Sequence, residues 1–439
     1  MNGPLHVLSK LRRVLLLRWQ LFLYRFSCAI LNYPFALKVG FAFLRRIRPT
    51  TILRNRIAIV TKADDVRDVL SRLEDFNTGP VLLPKMPWGP FVVTLDWPEQ
   101  HSRERSLLES IVSRDRDATS IRQRAAAACQ SYVRERRNVA EINVVTELCE
   151  PLVVDLVRNY LGVPIGGDSN VAARILSDVA GVLMVEPPAG STAAARAHAG
   201  LITLTQMITQ KIESVSRDGP QGDDLLTRLV VKLGVQDGVP DWFDQSWIRR
   251  YITGLTVFGA GTIVRATAQA IDRLMAHPAN LREAVEVAKR IHLSGDGAPQ
   301  QLDEDRTKLL HFIYESLRFR PMLPILPRYV PRQTIIAKGA SHARLTPAGC
   351  LLLAPLLAAM YDPEQFCRPW QFRSDRPLGR YVHFGYGPRL CFGRYIADAL
   401  MLETFIALLQ IGKLKRVAGT RGRLAYDGPS VRSLVLAIS

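Results

Sequence analysis

The sequence predicts a mainly α-helical protein with small β-sheets. Three observations carry this reading. Apolar residues recur at helical spacing through most of the chain. After Arg318 the apolar runs shorten and are split by prolines, which suits small strands and loops. No composition shift divides residues 56–439, so they read as one large domain. With 439 residues, 48% of them hydrophobic and 22% charged, the chain can bury a sizeable core. Six cysteines without metal-type spacing exclude a disulfide scaffold and a zinc ribbon. They suit a reducing, cytoplasmic compartment.

Residues 1–55 read as a basic, amphipathic arm. The first 56 residues hold eleven Lys or Arg and no acid, against a net charge of +18 for the whole chain. Val14 to Leu31 is apolar but interrupted by Arg18 and Arg25, which are seven apart and share a helix face. A spanning helix tolerates few charges. The pattern therefore suits an interfacial helix, with arginines at lipid headgroups and Trp19, Phe22 and Phe26 in the acyl layer. A second apolar piece, Pro34 to Leu44, ends in Arg45-Arg46-Ile47-Arg48. The competing readings are a helix packed on the protein's own surface and a targeting peptide, the latter poorly served by only Ser9 and Ser27. The expectation is a peripheral contact with an anionic membrane. Nucleic acid is discounted, because the charge is interleaved with aliphatic residues.

Along the body, Ile57 to Val60 is β-like. Helical patterns cover Asp64–Leu73, Pro98–Ile111, Ser120–Arg136, Val144–Leu161, Val171–Val185, Ala194–Val215 and Asp223–Leu233. Glu186 to Ser191 reads as a mobile loop. A long helix fits Trp242 to Ala276, ended by His277-Pro278. A Gly/Pro/Asp-rich insert, Ser294 to Pro299, breaks the next helical stretch, and the surrounding segment 290–305 has no readable role. The last helix is Ala397 to Gln410.

The chemistry lies in His383-Phe384-Gly385-Tyr386-Gly387-Pro388-Arg389-Leu390-Cys391-Phe392-Gly393. This is a glycine-rich loop entering a helix, with one cysteine just before it. Converging amides and Arg389 favour a thiolate, so Cys391 is a nucleophile or a metal ligand. His383 is the local candidate base.

The loop resembles the cytochrome P-450 heme-thiolate signature, Phe-x-x-Gly-x-Arg-x-Cys-x-Gly, at Phe384, Gly387, Arg389, Cys391 and Gly393. The resemblance runs from about Asn55 to the C-terminus. It implies heme b (iron protoporphyrin IX) with Cys391 as the proximal iron ligand. Phe384 and the loop amides would tune the sulfur. Glu315 and Arg318 match the family's Glu-x-x-Arg pair, and Arg376 the third member of its buried ion network. His101 and Arg105, in Pro98–Arg105, resemble the bacterial pair that grips the heme propionates, and Arg328 and Arg389 would join them. Gly219 to Leu226 resembles the approach to a distal-side helix in bacterial members.

On the long helix, Phe258-Gly259-Ala260-Gly261-Thr262 corresponds to the family's distal segment. Gly259 and Thr262 are kept. Gly261 stands where an acid is usual, so a proton relay would need water or another side chain. Arg265, one turn on, either anchors an anion or a water chain, or leaves the helix toward solvent.

The implied function is a monooxygenase acting on a lipophilic small molecule. Electrons would come from a separate ferredoxin or flavodoxin-type donor with its reductase, since no flavin or dinucleotide motif is present. The acid-free helix leaves open a peroxygenase or a hydroperoxide isomerase or dehydratase, which start from an existing O–O bond. A non-catalytic heme-thiolate sensor is the third reading.

Overall fold

In the computed structural model, residues 3–135, 139–235, 239–293 and 299–439 are described, with side chains from residue 18 onward and outside 292–299. The helices in chain order are α1 (Gly3–Asn32), α2 (Phe35–Ile47), α3 (Ala63–Ser71), α4 (Gly79–Leu82), α5 (Pro98–Ile111), α6 (Arg114–Glu135), α7 (Glu150–Asn159) and α8 (Ser169–Met184). There follow α9 (Thr192–Asp218), α10 (Leu225–Leu233), α11 (Gln245–Leu274), α12 (Pro278–Leu293), α13 (Pro299–Phe319), α14 (Leu356–Met360) and α15 (Arg394–Gln410). A π-helical segment, Val145–Cys149, leads into α7.

The sheets are small. The largest is four-stranded, in the order β1 (Thr50–Leu53), β2 (Ile57–Val60), β7 (Leu351–Ala354), β4 (Leu326–Tyr329). Only the β2–β7 pairing is parallel. β5 (Thr334–Ile336) pairs with β6 (Arg344–Thr346), and β3 (Glu141–Asn143), β11 (Val435–Ile438) and β8 (Leu414–Arg416) form a third sheet. A hairpin joins β9 (Ala425–Asp427) to β10 (Ser430–Ser433). β1 lies inside the stretch that the sequence assigns to the arm, so the sheet reaches back to Thr50.

The core runs through α11, which is buried along most of its length. Asp244 caps it, its carboxylate accepting from the Trp247 amide at 2.6 Å. α8 crosses α11 where Gly261 is closed: a Cβ there would lie 2.6 Å from the Ala180 methyl. The segment 294–298 of the insert lies outside the described residues. On its flanks, Arg290 of α12 binds Asp305 of α13.

The arm is seated on the body. Arg45 donates to the carbonyls of Thr61 (2.9 Å), Tyr361 (3.0 Å) and Ala358. The end of the basic run is therefore partly structural: Arg45 is turned inward while Arg46 and Arg48 stay exposed. Lys38 is buried too, its ammonium 4.8 Å from the Tyr361 ring centre and 5.4 Å from that of Phe319. Trp19, Phe22, Phe26, Phe35 and Phe43 are each more than half exposed. No single helix among the described residues is long and apolar enough to cross a membrane; the bent pair Arg18–Asn32 and Phe35–Ile47 passes that test only jointly, across a 77° bend.

Candidate active site

The cysteine loop is built by glycines at positions that exclude side chains. Gly385 has φ +81° and Gly387 φ +69°. At Gly387 a Cβ would lie 3.0 Å from the Ser71 Cα, so the loop rests against α3. The Cys391 amide donates to the Phe384 carbonyl (2.9 Å), and the Leu390 amide to that of Gly387 (3.0 Å). These bonds turn Cys391 outward just before α15 begins at Arg394. Cys391 is solvent-exposed. The surrounding protein raises the thiol, opposed by a hydrogen bond from the Gly393 amide and by the charges of Arg105 and Arg394. A bound metal cation would overcome that rise.

His383 does not serve as a base. Both ring nitrogens are buried without a partner, and burial, with Arg394 nearby, pushes it down to about 3. Its ring packs on Tyr314 (4.4 Å) and Phe384 (4.9 Å), so it belongs to the packing behind the loop.

A cationic cluster lies beside the loop. Arg389 binds Asp96 at 2.5 Å and the Leu95 carbonyl at 2.9 Å. Arg105 donates to Glu109 and to the Leu390 carbonyl, both at 2.9 Å. His101 is buried and pushed down to about 4 by desolvation, then by Arg389 and Arg105. Arg328 on β4 is buried and pushed down to about 9 by desolvation and then by Arg389. His101 Nε2, Arg328 Nε and Arg389 Nε are buried without partners. Three guanidiniums and an imidazole thus face three carboxylates, Asp96, Glu109 and the buried Glu104. Such a cluster fits a ligand that brings further carboxylates, as heme does.

Behind the loop, Arg318 grips Glu315 with two bonds of 2.8 Å, and both side chains are fully buried. Arg376 (3.4 Å), the Arg373 amide (2.9 Å) and the Tyr381 hydroxyl (2.9 Å) complete the Glu315 shell. The remaining Arg318 donors reach the carbonyls of Met360, Pro369 and Gln371. The structure therefore brings Glu315, Arg318 and Arg376 together.

On α11, Leu255, Phe258, Gly259, Thr262 and Ala266 are left partly accessible while most neighbours are buried. Their spacing traces one helix face. Gly259 opens onto free space, with nothing within 4 Å of a Cβ. The Thr262 hydroxyl bonds back to the carbonyls of Phe258 and Gly259. Gly261 points the other way, into α8. Arg265 neither leaves the helix nor faces an anion: it is 1% exposed and bound to main-chain carbonyls and Asn32. Sequence reasoning missed Asp96, which also accepts from the Thr78 and Gly79 amides, and Tyr381. Neither stands at a spacing that marks it.

A family model described as cytochrome P450 matches residues 50–428. Among curated proteins, linoleate diol synthase of Gaeumannomyces graminis is 39% identical over 89 residues, 20% of this chain and 8% of that one. Cytochrome P450 monooxygenase 208 of Postia placenta is 24% identical over 189 residues, 40% of this chain and 36% of that one. The chain thus spans well under two thirds of these relatives. Among solved structures, ligand-free cytochrome P450 TbtJ1 superposes with a TM-score of 0.72 at 22% identity, covering 92% of this chain and 97% of that one. The chain belongs to the cytochrome P450 family, oxidoreductases that hold heme b on a cysteine thiolate.

Proposed function

We propose that this protein transfers an oxygen atom to a lipophilic small molecule at a heme held by Cys391. The observation that carries the reading is the joint geometry of the loop and the cation cluster: one outward-turned sulfur beside four basic side chains, three of them with a buried nitrogen lacking a partner. His101, Arg105, Arg328 and Arg389 would hold the heme propionates. Glu315, Arg318 and Arg376 would keep the loop's backing rigid. The accessible face of α11, with Gly259 and Thr262, would line the distal side. Heme so ligated supplies electron-rich iron that favours O–O cleavage. The protein's own part is to orient substrate, exclude water and hold a proton donor at the Thr262 hydroxyl. Electrons would come from a separate acidic ferredoxin or flavodoxin, steered by the basic surface.

A second reading draws support from Gly261. Nothing larger than glycine fits there, so α11 offers no acid next to Thr262. A reaction on a pre-formed O–O bond, such as rearrangement of a fatty-acid hydroperoxide, needs no such relay. The name of the diol synthase relative also points to a fatty acid.

The test is to supply purified holoprotein with linoleate, once with a ferredoxin, its reductase and NADPH, and once with linoleate hydroperoxide alone. Product only with reductant supports monooxygenation. Product only from hydroperoxide supports the second reading. A heme that responds to neither, across a panel of terpenoids, steroids and aromatic compounds, overturns both and leaves the sensor.

A further inference from the structure

Arg265 is a buried cation with no acid in its hydrogen-bond shell. It lies one turn past Thr262 on α11. Its guanidinium donates to the Leu31 carbonyl (3.1 Å), to the Asn32 side-chain oxygen (2.8 Å) and to the Pro429 carbonyl. Leu31 and Asn32 are the last residues of α1, where unpaired carbonyls carry partial negative charge. Pro429 lies in the turn between β9 and β10. The cation is thus balanced by a helix end and a turn, with the Tyr426 ring 5.3 Å away.

The turn is gripped from the arm as well. The Asn32 amide donates to the Gly428 carbonyl at 3.0 Å. Gly428 has φ +58°, and a Cβ there would lie 2.3 Å from the Tyr24 hydroxyl. On its other side the turn meets α8: Ser430 donates to the Ser177 carbonyl at 3.0 Å, and Pro429 packs on Gly181. Ser177 also lines the closed contact at Gly261. A small cleft lies at this junction, between Tyr24, Val182, Val185, Pro187, Arg196 and Pro429.

We propose that Arg265 latches the end of the N-terminal helix and the β9–β10 turn to α11, so that the two are held or released together. Loss of the latch would free α1 and the turn together, because both rest on the same guanidinium. The proposal does not depend on the reaction catalysed.

The experiment uses full-length holoprotein carrying Arg265→Gln, Asn32→Ala or both. Arg18 and Arg25 are exposed on α1, so trypsin reports its release. Hydrogen exchange reports the order of 24–32 and of 426–431. Removing bonds from a charged donor should raise cleavage at Arg25 and exchange in both segments by roughly ten- to a hundredfold. Once Arg265 is replaced, Asn32→Ala should add only the loss of its bond to the Gly428 carbonyl. The carbonyl spectrum should keep its thiolate form, which separates unlatching from loss of fold. If Arg265→Gln does not load heme, Arg265→Lys takes its place: it keeps the charge but cannot reach three acceptors. Unchanged cleavage and exchange in a heme-loaded variant, or release of the arm with the turn still protected, overturns the latch.

Discussion

At the scale of single residues, chemistry is decided by what each side chain is denied. Cys391 is turned outward while burial raises its thiol, opposed by the Gly393 amide, Arg105 and Arg394, and a bound cation would hold it as the thiolate. Cys391→Ser should abolish the thiolate-type carbonyl spectrum; an unchanged spectrum would reassign the ligand. His277 shows the same logic for stability. Its ring packs at a tilt on Phe372 (4.6 Å) and Phe319 (5.5 Å), its Nε2 is buried without a partner, and burial with Arg273 nearby pushes it down to about 4. The folded chain thus sheds a proton that the unfolded chain keeps. Its contribution to stability is fully present above about pH 6.5 and is lost as the pH falls toward about 4. His277→Phe should make the urea midpoint fall less steeply across that window than in the parent protein. Parallel slopes would show that the imidazole is already satisfied.

At the scale of elements, the α8–α11 crossing governs the distal side. Gly261 is usually weighed for the proton it fails to carry. Here it is a packing residue, since the Ala180 methyl fills the place of its side chain. Gly261→Asp therefore cannot restore a relay in the way the sequence suggests. It should instead cost roughly 1–3 kcal/mol from overpacking alone, seen as a lower thermal midpoint, with no gain in reductant-driven coupling. A stable variant with improved coupling would mean that α8 moves aside. Adding a residue at the crossing differs from adding one at Gly259, where space is open.

At the scale of the whole molecule, the arm joins two surfaces. Its inner face is stapled by Arg45, Lys38 and Asn32. Its outer face shows Trp19, Phe22, Phe26, Phe35 and Phe43, flanked by exposed Arg18 and Arg25. That combination of exposed aromatics and cations suits an anionic bilayer surface. The double variant Phe22→Glu with Phe26→Glu should abolish co-sedimentation with anionic vesicles and leave the heme spectrum unchanged. Sedimentation equal to that of the parent would show that these aromatics make no such contact.

The cysteine loop, the Glu315–Arg318 pair and the long helix were all legible in the sequence. Each depends on neighbours close along the chain: glycines that set a turn, charges one helical turn apart, apolar residues at helical period. The bounds of α5, Pro98–Ile111, were readable for that reason, with proline at its first position and a charged first turn. Partnerships between distant segments were not legible. Asp96 meets Arg389 and Arg265 meets the end of α1 across more than two hundred residues, and Tyr381 meets Glu315 across 66. Nothing local marks those pairs, because the low dielectric that strengthens them, against the cost of desolvation, exists only once the core closes. The sequence by itself therefore determined the fold class, the family and the turn of the cysteine loop. The tertiary structure alone decided that Gly261 is a contact, that His383 is packing, and that Arg265 is bound to the arm.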